Sequence, residues 1–474
     1  MTEARAGLRH KPTSDVTSIR WTIGGAGLVG LAAFIAWTPL EAATALLAVG
    51  GLALAIAIRP VAGLLALALL LPYGRLAPLP LGSVDGVDLL VVAALAGWLA
   101  RGVARRAIEM RLPPLTGLLC GFLWTLGLSL TAAESWREGV PELFKWAEYA
   151  LLYLLATQML RGRQVWWMVG ALFLAGIGQV ALGAYQFVGQ VGPPAFLVGG
   201  RFMRAYGSFQ QPNPYAGYLG YLAPVAASLA LAALAQWWRT RRPRHLIAGV
   251  AGGGTALLLV AGVGMSWSRG GWLALGLALI IVVGLRTPRT ALMTLSAMAA
   301  VAVILAMAGT AWLPAAIAGR VSGLGDYVAV PDPMRAEIND DNFAVLERVA
   351  HWQAGLAMFD DHPWLGVGIG NYAVAYERYA LPHWYEPLGH AHNIYINFLA
   401  ETGVIGAGMF VALWGGMWWT AWRRARATSG YRAALALGLM GTLTYLTAHN
   451  LFDNLFVQHM QLQLALLLAC TIND

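Results

Sequence analysis

Long apolar blocks alternate with short polar breaks along almost the whole chain, at roughly 21–38, 42–58, 61–72, 87–100, 113–131, 142–160, 165–187, 214–238, 246–264, 271–285, 290–311, 398–421, 433–449 and 456–471. Most approach the ~20 residues that a helix needs to cross a bilayer's hydrocarbon core. A segment in lipid must satisfy its backbone groups internally, so runs of this kind predict spanning helices. The pattern therefore predicts an all-α polytopic integral membrane protein with about 12–14 transmembrane helices. The blocks 61–72 and 87–100 are short for a full crossing and predict broken or re-entrant segments.

One polar interruption is long, 312–397, and has a pattern of its own. From Asn342 to Phe359, the residues Phe343, Leu346, Val349, Ala350, Gln353, Ala354, Leu356 and Ala357 recur at spacings that give one largely apolar helical face. Asp360, Asp361 and Pro363 end that helix, and a second short one is expected over 371–379. Asn393 is placed to cap a helix beginning at Ile394. Amphipathic helices of this kind suit the outer headgroup plane.

Composition agrees with the periodicity. Only 11% of residues are charged, against about 25% in ordinary soluble domains. The net charge of +8 is not a nucleic-acid footprint, because the arginines stand singly or in small groups between apolar blocks. Cys120 and Cys470 each lie inside an apolar run and support no disulfide framework.

The arginines instead read as orientation signals. With the N-terminus inside, alternate breaks hold Arg59, then Arg101, Arg105, Arg106 and Arg111, then Arg161 and Arg163, then Arg239, Arg241, Arg242 and Arg244. Arg286, Arg289, Arg423, Arg424, Arg426 and Arg432 follow on the same side, joined by Arg5, Arg9, Lys11 and Arg20 of the tail. This asymmetry predicts both termini in the cytoplasm and 312–397 on the outer face of the cytoplasmic membrane. The expected organisation is a cytoplasmic tail over 1–20, spans over 21–311, the external loop over 312–397 and further spans over 398–471.

Basic residues on the expected outer face need another explanation, and they include Arg75, Arg137, Lys145, Arg201, Arg204, Arg269, Arg320, Arg335, Arg348 and Arg378. Arg201 and Arg204 stand in "RFMRAYGSFQQPNPYAGYL", whose Gln211 and Asn213 open the next span. Arg269 stands in "GVGMSWSRGGWLAL", a turn so short that two spans nearly meet. A guanidinium at such a place suits the oxygens of a diphosphate.

His390 and His392, in "GHAHNIYINFLAETG", close the external loop. A metal site would need further ligands, for which His383, Glu386, Glu401 and Asp361 are at hand, but no spacing matches a metal signature. A structural role and a general base remain as the other readings, and imidazole chemistry suits the base. His392 is adjacent to the helix cap and so better fixed. Tyr395 and Asn397 share the first turns, and His449, Asn450, Asp453 and Asn454 form another polar group at an outer helix end.

These motifs carry a family likeness. The chain resembles the bacterial O-antigen ligase and Wzy-type polymerase superfamily, through "RAYGSFQQPNPYAGYL", "SWSRGGWLAL", "RVAHWQAGLAMFDDHPWLGVGIGNY" and "GHAHNIYINFLAETGVIG". The resemblance implies a glycosyltransferase acting on a glycan carried by undecaprenyl diphosphate and passing it to a lipid, glycan or protein acceptor, without cofactor or metal. It implies His392, Arg204 and Arg269 as catalytic residues. Substrate contacts are then expected from His390, Asn393, Gln211, Asn213, Arg201, Arg348 and Arg378. A ligase and a polymerase fit the motifs equally, and a transporter of lipid-linked glycan fits less well because the polar residues gather at outer helix ends. Membrane lipids are the surrounding partners and nucleic acid is not one.

Overall fold

The computed structural model describes residues 39–76, 85–108, 110–308, 332–339 and 342–473. The expected tail 1–20, the expected span 21–38 and the first part of the loop, Arg320 included, lie outside the described residues. Helices are numbered from the first described one. They are α1 (Leu40–Ile58), α2 (Val61–Leu70), α3 (Gly86–Ala104), α4 (Thr116–Ser129), α5 (Trp136–Met159), α6 (Arg163–Gly189), α7 (Pro212–Thr240) and α8 (Pro243–Met265). After these come α9 (Arg269–Gly284), α10 (Pro288–Ala308), α11 (Phe343–Asp361), α12 (Tyr372–Tyr379), α13 (Ile394–Ala427), α14 (Gly430–His449) and α15 (Met460–Ile472). Five of them, α3, α6, α7, α8 and α13, are long and apolar enough to cross a bilayer, and the chain is a polytopic all-α membrane protein.

Local chemistry sets the boundaries. Asp85 caps α3 through a capping box with Asp88, Ser268 caps α9, and Asn393 caps α13 by accepting from the N–H groups of Tyr395 and Ile396. With that cap α3 runs 19 residues, so the block expected to be short at 87–100 is long and apolar enough to cross a bilayer. The block at 61–72 is short, ending at Leu70 and tightening into a 3-10 turn over Leu71–Leu76. The last helix begins at Met460 rather than 456. Asn450 and Asn454 side chains accept from the N–H groups of Leu455 and Phe456, at 2.9 and 3.0 Å, and hold 450–459 as an irregular turn.

α7 lies at the centre, with Tyr215, Tyr218 and Tyr221 fully buried, and it packs on α8, α14 and α9. α15 is buried on all sides and packs chiefly on α5. A two-stranded hairpin pairs Leu197–Val198 with Phe202–Met203 ahead of α7. This brings the first turns of α7 and α9 close to the C-terminus of α14 and the start of α13.

The loop helices are fastened to α13. α11 covers the expected 342–359, but its buried side is Val345, Leu346, Val349, Ala350, His351, Ala354 and Met358. Phe343 and Leu356, expected on the apolar face, are exposed. The buried His351 replaces them in the packing and bonds Tyr372 Oη at 3.1 Å.

Below this, α13 kinks at Gly403, whose φ of 61° is left-handed. Val367 and Val404 N–H groups donate to the Ala400 and Pro363 carbonyls, at 2.9 and 2.8 Å, so the 363–367 turn is sewn into the kink. A Cβ on Gly403 would run into the backbone of Trp364. Gly403→Ala is expected to destabilise the protein by roughly 2 kcal/mol or more, combining left-handed strain with that clash. Detergent melting measurements on the variant check it, and an unchanged melting temperature would refute the clash.

Candidate active site

His392 sits in the left-handed region at φ 50°, one residue before the cap of α13. Strain in a non-glycine residue of this kind persists only where its surroundings enforce it. Three contacts do so here. The His392 N–H donates to His390 Nδ1 at 3.0 Å, the Ala391 N–H donates to Asn397 Oδ1 at 3.0 Å, and Asn393 Nδ2 donates to the Leu451 carbonyl at 3.1 Å. Ile394 N–H adds a bond to the Asn450 carbonyl at 3.0 Å, tying the start of α13 to the end of α14.

The imidazole of His392 is largely buried, and among the described residues neither ring nitrogen has a hydrogen-bond partner. Its Nδ1 stands 3.8 Å from Asp453 Oδ1, too long for a hydrogen bond but a close electrostatic contact. A buried imidazole left open in this way has a nitrogen that can take a ligand or a proton. Its neighbours are other rings, with His390 at 4.4 Å and His351 at 5.7 Å between centroids. Burial, with the field of His392, pushes His390 down to about 4, and burial with both other imidazoles pushes His351 down to about 3. Both are therefore neutral at ordinary pH. Nδ1 of His390 is already engaged as an acceptor.

Asp453 links this ring to an arginine. Its Oδ2 accepts from Asn213 Nδ2 at 2.8 Å, and Asn213 Oδ1 accepts from Arg204 Nη2 at 3.1 Å. Arg204 Nε donates to the Ser266 carbonyl at 2.8 Å, which places it beside the turn that carries Arg269. The Asp453 backbone turn is held by Arg348, whose Nε donates to the Phe452 carbonyl at 3.1 Å. Burial alone would raise the Asp453 carboxyl. The adjacent His392, with the fields of His390 and Arg348, outweighs it and holds the acid well below the usual carboxylate range.

Arg269 is the first residue of α9, half-buried, with Ser268 before it accepting from Gly271 N–H at 3.2 Å. Ser268 Oγ also lies 3.5 Å from His449 Nε2. The sequence candidates thus divide. His392, His390, Asn393, Asn213, Arg204 and Arg348 come together, with Arg269 one turn away. Arg201 is exposed over the Phe202 ring at 5.2 Å, and Gln211 is exposed at the start of α7, where its side chain makes no capping bond among the described residues. Arg378 forms an exposed ion pair with Glu134 at 2.7 Å, away from the histidines.

His351 joins the site without a signal in the sequence. Asp453, with His449, belongs to the polar group 449–454 expected at an outer helix end. It is also the carboxylate that meets His390 and His392, their ligand-capable atoms lying within 4.8 Å of one another. None of the nearer candidates fills that place. Glu401 accepts from Tyr372 N–H at 3.1 Å and Asp361 from Tyr379 Oη at 3.0 Å, both elsewhere. Two imidazoles and a carboxylate form a donor set that divalent metals accept. The spacing argument against a metal therefore does not extend to the folded arrangement.

The Arg269 turn, α11, α12 and the histidine pair all fall in one stretch of chain with a recognised counterpart. Residues 254–411 match the model of the O-antigen ligase family. No curated protein matches the chain. The O-antigen ligase match takes in Arg269, Arg348, His390 and His392 and stops before Asp453, while Arg204 and Asn213 precede it. The site therefore joins the matched stretch to helices on both sides of it.

A second group of titratable residues lies nearby, at the start of α3 and just before α15. His459 Nε2 is 2.8 Å from Asp85 Oδ2, and its Nδ1 is 3.7 Å from Asp88 and 3.8 Å from Glu148. Burial disfavours its charge, but the close Glu148 carboxylate, with the fields of Asp85 and Asp88, prevails and raises it to about 9. A folded value above the unfolded ~6.5 means stability that is complete below about pH 6.5 and lost as pH climbs through 9. The melting temperature is expected to fall by several degrees between pH 6.5 and 10, and His459→Gln to remove most of that slope. An identical slope in the variant would show that other groups carry it.

Proposed function

We propose that the protein transfers a glycan from a lipid diphosphate to an acceptor hydroxyl on the outer face of the cytoplasmic membrane, as an O-antigen ligase-type glycosyltransferase. The observation that carries this reading is the connected path from His392 through Asp453 and Asn213 to Arg204, with Arg269 beside it. In the proposed step His392 removes the proton of the acceptor hydroxyl as its oxygen bonds to the anomeric carbon. The bond from that carbon to the diphosphate oxygen breaks, and the electron pair leaves with the diphosphate. Arg204 and Arg269 stabilise the charge growing there. Attack opposite the leaving group inverts the anomeric centre. Asp453, ionised beside His392, favours the imidazolium that the step creates.

The test supplies purified protein with defined undecaprenyl-diphosphate oligosaccharide and candidate acceptors, and sizes the product. A single transferred block supports ligase action and a ladder points to a polymerase. Retention of the rate in chelator is expected, and a chelator-sensitive rate restored by a divalent ion would move the histidines and Asp453 into a metal site. Arg269→Ala is expected to weaken donor binding at least about tenfold, the scale of a lost charge-assisted contact. Unchanged donor affinity would remove Arg269 from the anion site.

A further inference from the structure

At the far end of the helices from His392 the structure has a cavity that the transfer reading does not use. α5 marks the distance. Its approach bonds to the loop, Ser135 N–H donating to Asn371 Oδ1 at 2.7 Å, while its last turn, with Gln158, lines this cavity. Twenty-four residues of helix separate the two ends by roughly 36 Å, about one membrane thickness. The cavity holds about 800 Å³ and is lined by Arg59, Arg101, Arg105, Arg161 and Arg163. These come from the ends of α1, α3 and α6 and the turn after α5.

Orientation signals require arginines on one side of the membrane, and do not require them to converge. Five guanidiniums around one cavity repel each other, and no carboxylate is among the lining residues described. Among the described residues none of the five is ion-paired. Arg101 is held in place by donating to the Ile58 carbonyl, and Arg163 lies over the Trp167 ring at 5.9 Å. Trp98 and Trp167 also line the cavity, while Ile58, Leu99 and Val103 beside it are exposed apolar side chains. An anionic head with apolar tails matches both surfaces.

We propose that this arginine-lined cavity binds the phosphate head of an acidic membrane phospholipid, with its acyl chains against the exposed apolar faces of α1 and α3. Basic cavities between membrane helices suit such headgroups. The site is independent of the glycan-transfer reading and stands or falls separately from it.

The experiment titrates delipidated full-length protein in detergent with phosphatidylglycerol, phosphatidylcholine or inorganic phosphate, following thermal stabilisation. Phosphatidylglycerol is expected to stabilise the wild type and phosphatidylcholine is not. The triple variant Arg59→Gln, Arg105→Gln, Arg161→Gln is expected to bind about 100-fold more weakly, at about fivefold for each basic side chain near an acidic headgroup. The control triple Arg239→Gln, Arg241→Gln, Arg242→Gln, outside the cavity, is expected to bind like the wild type. Equal losses in both triples, or equal stabilisation by both lipids, would overturn the site, and equal stabilisation by inorganic phosphate would overturn the lipid as its occupant. Should the cavity triple not fold, native mass spectrometry of the wild type decides. Preferential retention of phosphatidylglycerol supports the site and its absence refutes it.

Discussion

His392→Ala is expected to lower the rate of glycan transfer by about 10³-fold while leaving donor binding nearly unchanged. A positioned general base contributes about 10²–10⁴-fold, and the alanine removes it without touching the arginines proposed to hold the diphosphate. His390 is a poor substitute despite its ring lying 4.4 Å away. Its Nδ1 accepts from the His392 backbone, and burial has pushed its titration to about 4, so it takes a proton only in acid. The same reasoning separates the two variants. His390→Ala is expected to loosen the strained turn and cost less than His392→Ala. Rates and donor affinities measured side by side check this, and a fully active His392→Ala would end the base assignment.

The contrast between these neighbours also shows what could be read from the chain alone. Helix positions were legible because apolar runs in lipid leave few alternatives, and the Asn393 cap was legible because one short side chain satisfies backbone N–H groups two and three residues on. Local rules failed where a partner arrives from far along the sequence. Asp453 stands 61 positions after His392, and their approach depends on α14 returning beside α13 with Asn450 bonded to Ile394. No periodicity encodes that pairing. Arg378 shows the same limit, since the Glu134 carboxylate that it pairs with stands 244 positions away and no local pattern announces the contact. The buried side of α11 follows the expected face at Leu346, Val349, Ala350 and Ala354 and departs from it at His351, which is polar by type yet buried against Tyr372 and Tyr376, while Phe343 and Leu356 are exposed.

Asp453→Asn is expected to lower transfer by about 10²-fold, and the double variant with His392→Ala to be no slower than His392→Ala alone. The carboxylate touches the proposed base and does not itself reach the reacting atoms in the proposed step. Its contribution is to orient the ring and favour the charge that appears on it, as acids behind catalytic histidines do. Residues that act as a unit are non-additive, so removing the base first leaves the acid with nothing to support. A purely structural role predicts another result, because lost stability adds to the loss of His392 and the double variant would be slower. Asp453 also holds Asn213, and through it Arg204, so a change in donor affinity has to be separated from a change in rate. Asn213→Ala makes that separation. It breaks the tie to Arg204 while leaving the carboxylate beside His392, and is expected to raise the donor concentration needed for half-maximal rate more than it lowers the rate at saturation. If Asp453→Asn behaves like Asn213→Ala, the carboxylate serves the arginine. If it lowers the saturated rate and its effect vanishes in the His392→Ala background, the carboxylate serves the base.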